Sequence, residues 1–178
     1  SDKTIRAQWD AFRCDQVTLM VETLRTVMKG VKSQGLVSIS TGPSAVSAKN
    51  ELYQDWGSWV RRGLIDMCTP MAYYTASETV EKIAKEEIVL INNLAYAYVG
   101  IGPYQLLPPS EWVAQIAATN AAGAMGYSLF SSEQVLTDTA AVDLVASTVN
   151  KNKAIVPHAD AQTVIAAVFA DVLQKAQN

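Results

Sequence analysis

The chain is poor in every residue type that signals chemistry by itself. One histidine and two cysteines stand among 178 residues, whereas a metal centre built from side chains needs three or four ligands at close spacing. His158 has no second His or Cys near it, which excludes a recognisable metal site. Cys14 and Cys68 are expected as free thiols, because one falls at a helix opening and the other inside a strand, where unpaired cysteines are ordinary. Charged residues make up only 17% of the chain, the net charge is −3, and no run of Lys and Arg is clustered; nucleic acid is thereby excluded as a partner, since phosphate binding needs several cations on one face. Apolar stretches are repeatedly interrupted by charge or turn residues, so none reaches the roughly 20 residues that span a bilayer. The opening Ser1-Asp2-Lys3 shows no basic region followed by an apolar one, so no signal peptide is read there. A phosphate-binding Walker loop and a Ser-His-Asp set are also missing, and Gly100-Ile-Gly102 lacks the third glycine and the following helix of a dinucleotide fingerprint. No cofactor is expected.

What is present is aliphatic and periodic. Hydrophobic residues form 49% of the chain, enough for a folded core throughout. The length suits one domain yet falls short of the roughly 250 residues of a complete (β/α)8 barrel. Apolar residues recurring every three or four positions (Val17, Met20, Val21, Leu24, Val27, Met28, Val31) predict a helix over 15–31. A strand over 36–40 follows, then a polar loop over 44–50 and a short helix over 52–62 carrying Trp56 and Trp59. Further strands are predicted over 64–74, 95–101 and 124–130, separated by helices over 77–92 and 110–122 and followed by one over 133–149. In the 77–92 helix the apolar side is read as Val80, Ile83, Ala84, Ile88 and Ile91. A polar linker over 150–158 precedes a last helix, capped by Asp160, with Val164, Ile165, Val168, Phe169, Val172 and Leu173 as its core side. Residues 1–150 are thus expected to hold the four βα units, with 151–178 a linker and C-terminal helix packed on them.

Strands joined through helices are parallel with right-handed crossovers, because a tight hairpin cannot return the chain in the same direction. An open doubly wound sheet and a segment of a barrel both fit this order. The residues that separate them are Trp9-Asp-Ala-Phe-Arg13, Ser38-Ile-Ser-Thr-Gly42, Tyr53-Gln-Asp-Trp-Gly-Ser-Trp59, Arg62-Gly-Leu-Ile-Asp66, Thr69-Pro-Met-Ala-Tyr-Tyr74, Val99-Gly-Ile-Gly-Pro-Tyr104 and Gly126-Tyr-Ser-Leu-Phe-Ser131. In this order, from Trp9 to Ser132, they resemble the C-terminal half of the glycosyl hydrolase-like 10 family, barrel proteins associated with the bacterial envelope. The resemblance implies an α/β fold of parallel (β/α) repeats in which four strands are strands 5 to 8 of a TIM-type barrel, with C-terminal helices beyond. It also implies a carbohydrate ligand, a location outside the cytoplasm, and a parent glycoside hydrolase whose catalytic acids lie on strands absent from this sequence. The segment alone is then expected to be inactive. A non-catalytic glycan-binding or scaffold module, and a half-barrel that pairs with a second copy of itself, are the alternatives. In the last case, four parallel strands would expose two edges and an apolar inner face.

Ligands of such a barrel sit at the C-terminal ends of the strands. Those ends supply Ser40 and Thr41, then Tyr73 and Tyr74, then Tyr104, then Ser128, Ser131 and Ser132. Aromatic faces and short hydroxyls suit a pyranose, which offers an apolar C–H face and a ring of hydroxyls; against this, any one of these tyrosines can equally pack a loop on the rim. Trp56 and Arg13 are added as candidate contacts, Arg13 being set against a surface pair with Asp10 or Asp15. Hydrolysis usually needs two carboxyl groups, and no strand ends in Asp or Glu. Asp55 is the weak catalytic candidate, with a role at the helix carrying Trp56 as its competitor. Asp66, at a strand beginning, is expected to be structural, and Glu133 to sit at a helix N-terminus.

Overall fold

The structure, a computed structural model, describes residues 2–152 and 154. The predicted C-terminal helix and His158 lie outside the described residues.

Among the described residues twelve elements follow one another: α1 (Lys3–Val31), β1 (Ser38–Thr41), α2 (Ala45–Leu52), α3 (Trp56–Arg61), β2 (Met67–Pro70), α4 (Ser77–Ile91), β3 (Tyr96–Ile101), a 3₁₀ turn (Pro103–Gln105), α5 (Pro109–Ala121), β4 (Gly126–Leu129), α6 (Ser132–Thr137) and α7 (Thr139–Ser147). The strands form one parallel sheet in the order β1-β2-β3-β4. A doubly wound sheet reverses its strand order somewhere and carries helices on both faces. Here each strand pairs with the next in sequence, and right-handed crossovers then put every helix on the same side. The chain is therefore half of a TIM-type barrel.

Register and alternation separate the two faces of the sheet. Ile39 pairs with Cys68, Cys68 with Ala97, Val99 with Tyr127 and Ile101 with Leu129. These residues pack beneath the helices in three clusters, around Trp59, Val60 and Ile91, around Val80 and Ala84, and around Trp112, Ile116 and Val145. The opposite, concave face carries Ser38, Ser40, Met67, Thr69, Tyr96, Tyr98, Gly100, Gly126 and Ser128, and none of these belongs to a core cluster. The expected apolar inner face is thus corrected: hydroxyls dominate it, because the aliphatic residues of each strand fall on the alternate, helix-covered positions.

Several boundaries also differ from expectation. The first helix begins at Lys3 rather than near residue 15, so Trp9–Arg13 and Cys14 lie within it. Nothing in 3–14 breaks a helix, and Asp2 accepts the Thr4 amide at 2.9 Å to cap it. Residues 45–50, read as loop, belong to α2, since Ala, Lys, Glu and Leu favour helix once Ser44 turns the chain, and the helix read over 52–62 is confined to α3. The long helix predicted over 133–149 is two helices, because Asp138 leaves helical geometry (φ −94°, ψ 76°) and accepts the Ala141 amide as the cap of α7.

α1 runs along the outside of the sheet, tied at successive heights. Arg25 reaches the Leu64 carbonyl and Asp66, the Trp59 indole donates to Thr18, and Cys14 approaches the Lys49 carbonyl. A face of Ile5, Trp9, Phe12, Leu19, Met20, Leu24, Val27 and Val31 remains exposed on it.

Candidate functional site

The C-terminal ends of β2, β3 and β4 bring three aromatic rings together. Tyr73 follows β2 at a position of concave parity, Tyr104 sits in the 3₁₀ turn after β3, and Phe130 follows β4. The Tyr73 and Phe130 rings lie nearly parallel, with centroids 5.4 Å apart, and Tyr104 meets both edge-on at 5.7 Å. Glycines make this approach possible. A Cβ on Gly100 would stand 3.1 Å from Cε1 of Tyr73, and one on Gly102 would stand 3.0 Å from Cβ of Tyr73 and from Cε1 of Tyr104. The Gly-Ile-Gly-Pro-Tyr segment is thus small where the Tyr73 ring crosses it. Gln105 donates to the Tyr73 carbonyl and the buried Gln115 to that of Tyr74 at 2.9 Å, which fixes the segment after β2.

The cluster is packed on one side and open on the other: Tyr104 and Phe130 are 43% and 52% exposed. Burial first, and then the neighbouring Tyr104, push the Tyr73 phenol above its ordinary value, so it is a neutral donor and acceptor at physiological pH. Below the rings, the concave face adds Ser40, Thr69, Tyr98 and Ser128, with the Tyr98 ring lying over Gly126. The result is an aromatic wall above a floor of hydroxyls. Arranged in this way, the groups can stack on an apolar ring face and exchange hydrogen bonds. They cannot supply a carboxylate.

The sequence candidates divide on this geometry. Tyr73 and Tyr104 are adjacent, while Ser40, Ser128 and the exposed Tyr74 lie on the same side or rim. Ser131 is at the rim but is engaged locally, its amide and hydroxyl both meeting Gln134 Oε1 at the start of α6; Ser132 opens that helix and is exposed. Thr41 is displaced from the site: it is fully buried on the helix side, where it contacts the Cys68 thiol, because its position alternates with that of Ser40. Trp56 is likewise fully buried in the core at the start of α3. Arg13 is held on α1 by Asp10 at 2.6 Å and lies 3.9 Å over the Tyr53 ring, so the surface pair is what forms. Asp55 stands at the N-cap position of α3 without capping it, and its carboxylate pairs with Lys49 at 2.8 Å. Asp66 is structural as expected, accepting from the Val37 amide and pairing with Arg25 and Lys29 at the opposite end of the strands. Glu133 lies in the first turn of α6.

Phe130, Thr69 and Tyr98 were missed as site residues, although strand alternation carries their signal: each has the parity of Ser128, Met71 or Gly100. Glu87 was missed as a buried acid. It lies on the apolar stripe of α4 between Ala84 and Ile91, is 2% exposed, and neither carboxyl oxygen has a partner among the described residues. Cys68 is a free thiol that burial pushes up to about 12, with Glu87 adding to the effect. Among the described residues no group of His, Cys, Asp and Glu could hold a metal ion. No helix there is long and apolar enough to cross a membrane.

The fold defines a segment of a glycoside-hydrolase-like barrel, with the aromatic cluster at its strand ends. The family model of glycosyl hydrolase-like 10 matches residues 2–115. That is well over half of the chain, which therefore belongs to this family. The match ends inside α5, so Gly126–Ser131 lies beyond it. Among curated proteins no match was found.

Proposed function

We propose that this chain forms one side of a carbohydrate-binding barrel mouth, supplying contact residues and leaving any catalytic acids to other parts of a parent protein. The observation that carries this reading is the convergence of Tyr73, Tyr104 and Phe130 over hydroxyls from all four strands. A pyranose stacked on such a wall would present its hydroxyls to Ser40, Thr69, Tyr98 and Ser128. Family membership supports the ligand class and, with it, a place outside the cytoplasm at the cell envelope.

The second reading is a glycan-binding module that cuts nothing, favoured by the lack of any carboxylate on the concave face among the described residues. Oligosaccharide titration of the chain and of a longer parent tests both. Tyr73→Ala or Tyr104→Ala is expected to weaken binding by about tenfold or more, since a stacked ring contributes on the order of 1 kcal/mol beyond its buried area. Bound sugar left uncut by the parent selects the second reading. Absence of any binding by either protein refutes both.

A further inference from the structure

We infer that a crevice in the outer, helical layer, between α2, α3 and α4, is a second ligand site, and that it takes a small primary amine with an apolar body whose ammonium group pairs with Glu87. The site does not depend on the carbohydrate reading, because it lies on the helix side of the sheet and shares no residue with the aromatic cluster at the strand ends.

The crevice has a volume of about 560 Å³, within the roughly 300–1,000 Å³ of small-molecule pockets. The helical layer after β1 is broken into the short α2 and α3, and the C-terminal half of α4 faces the space between them. Gly57 lets α3 approach α4, since a Cβ there would stand 3.1 Å from the Leu90 side chain. Val46, Val89, Leu90 and Leu94 make the walls aliphatic, and all but Leu90 are more than half exposed. Such walls offer a sugar few hydroxyl partners.

The floor is polar and unsatisfied. Glu87 and Trp56 both line the crevice and are 2% and 0% exposed, and neither the Glu87 carboxyl oxygens nor the Trp56 indole N–H has a partner among the described residues. Orphaned groups of this kind are rare in folded proteins, and what completes a carboxyl is a cation. Arg61 does not serve: its guanidinium lies along α3 near Gly57 and leaves both carboxyl oxygens unpaired. The charge acting on Glu87 is that of Glu86, of like sign. A metal ion does not fit either, because no group of His, Cys, Asp and Glu among the described residues could hold one. A single ammonium needs one carboxylate, Glu86 at the rim adds a second, and the apolar remainder of the ligand covers Val46, Val89 and Leu94. The Glu87 carboxyl is closed beneath the crevice surface, and rotation about its side-chain torsions turns it towards the ligand.

The test titrates the 178-residue chain with 2-phenylethylamine and with its neutral isostere 2-phenylethanol at pH 6, 7 and 8, following the Trp56 indole and the Val89 and Leu90 methyl resonances by NMR. At pH 8 the amine is expected to bind at least tenfold more tightly than the alcohol. Burial first, and then Glu86, push the Glu87 carboxyl up to about 9, and the other groups facing it are the neutral Cys68 thiol and Arg61, so pairing must first ionise it. The Kd of the amine should therefore fall by up to about tenfold per pH unit from pH 6 to 8, while that of the alcohol stays constant. Glu87→Gln should abolish the preference and its pH dependence and leave the alcohol unchanged. A preference that is flat with pH, or that survives Glu87→Gln, puts the ammonium on the exposed Glu86 carboxylate and overturns the assignment. Equal binding of amine and alcohol, resonance shifts at Tyr73 and Tyr104 in place of the crevice, or no binding of the amine overturns it as well.

Discussion

Replacing Glu87 by Gln should stabilise the protein, and increasingly so as the pH rises. Glu87 sits at an apolar position of α4, between Ala84 and Ile91, against the helix side of β2. Burial first, and then the neighbouring Glu86, push its carboxyl from an ordinary 4.5 up to about 9. The groups facing it are the Cys68 thiol of β2, itself neutral, and Arg61 of α3, which lines the same crevice without forming an ion pair with Glu87. A carboxyl raised on folding is protonated in the native state and ionised in the unfolded one between these two values. The unfolded chain then binds fewer protons, so stability is fully present below about 4.5 and is lost progressively as the pH climbs towards about 9.

At pH 7 the gap from the ordinary value corresponds to a cost on the order of 3 kcal/mol, at about 1.4 kcal/mol per pH unit. Gln has nearly the same shape and cannot ionise, so it escapes most of this cost, although its amide is as unpaired as the acid it replaces. Urea unfolding of wild type and Glu87→Gln at pH 5, 7 and 8.5 reads the effect directly. The two proteins should nearly coincide at pH 5 and separate at pH 7 by up to that amount, which is roughly 6–12 °C in Tm for a domain of this size. Parallel pH profiles would show that Glu87 finds a partner, such as Arg61, or water in solution, and the reasoning from burial would fail.

Two further substitutions probe the frame that holds the site. Asp66→Asn should cost about 1–3 kcal/mol by thermal unfolding at pH 7, because it weakens one acceptor shared by the Val37 amide, Arg25 and Lys29. Burial alone would raise the Asp66 carboxyl, but these three partners outweigh it and hold the group below its ordinary value. Its contribution is therefore present above the ordinary carboxylate range and lost as the pH falls through the lowered value, so the variant should lose less stability in acid than wild type does. Gly126→Ala places a Cβ 2.6 Å from Cε1 of Tyr98. It should destabilise by about 1–3 kcal/mol if the ring cannot move and should perturb the Tyr98 resonances in NMR spectra; an unchanged spectrum would place that ring elsewhere.

The fold was legible where burial follows a simple period. All four strands, their parallel direction and the helix after each came from alternation and from three- and four-residue spacing, and the order of the short motifs settled barrel against open sheet. What was not legible depended on which face a residue takes within a strand and on what its neighbours already hold. Ser40 and Thr41 are adjacent and chemically alike, yet one faces the concave side and the other is buried against Cys68. Trp56 has the composition of a sugar platform and the burial of a core residue. Asp55 and Arg13 were credible ligand contacts until Lys49 and Asp10 were seen to engage them. Glu87 was hidden for the opposite reason, since an acid is ordinarily assigned to the solvent face even when 80, 83, 84, 87 and 91 form one stripe.

The acid-free concave face also bears on how the ring is completed. A ring of two copies would double a strand face that carries no carboxylate among the described residues, whereas hydrolysis usually requires two carboxyl groups flanking the scissile bond. A self-paired ring is therefore expected to leave a bound sugar uncut. A hydrolase is then expected to draw its acids from a second half of different sequence.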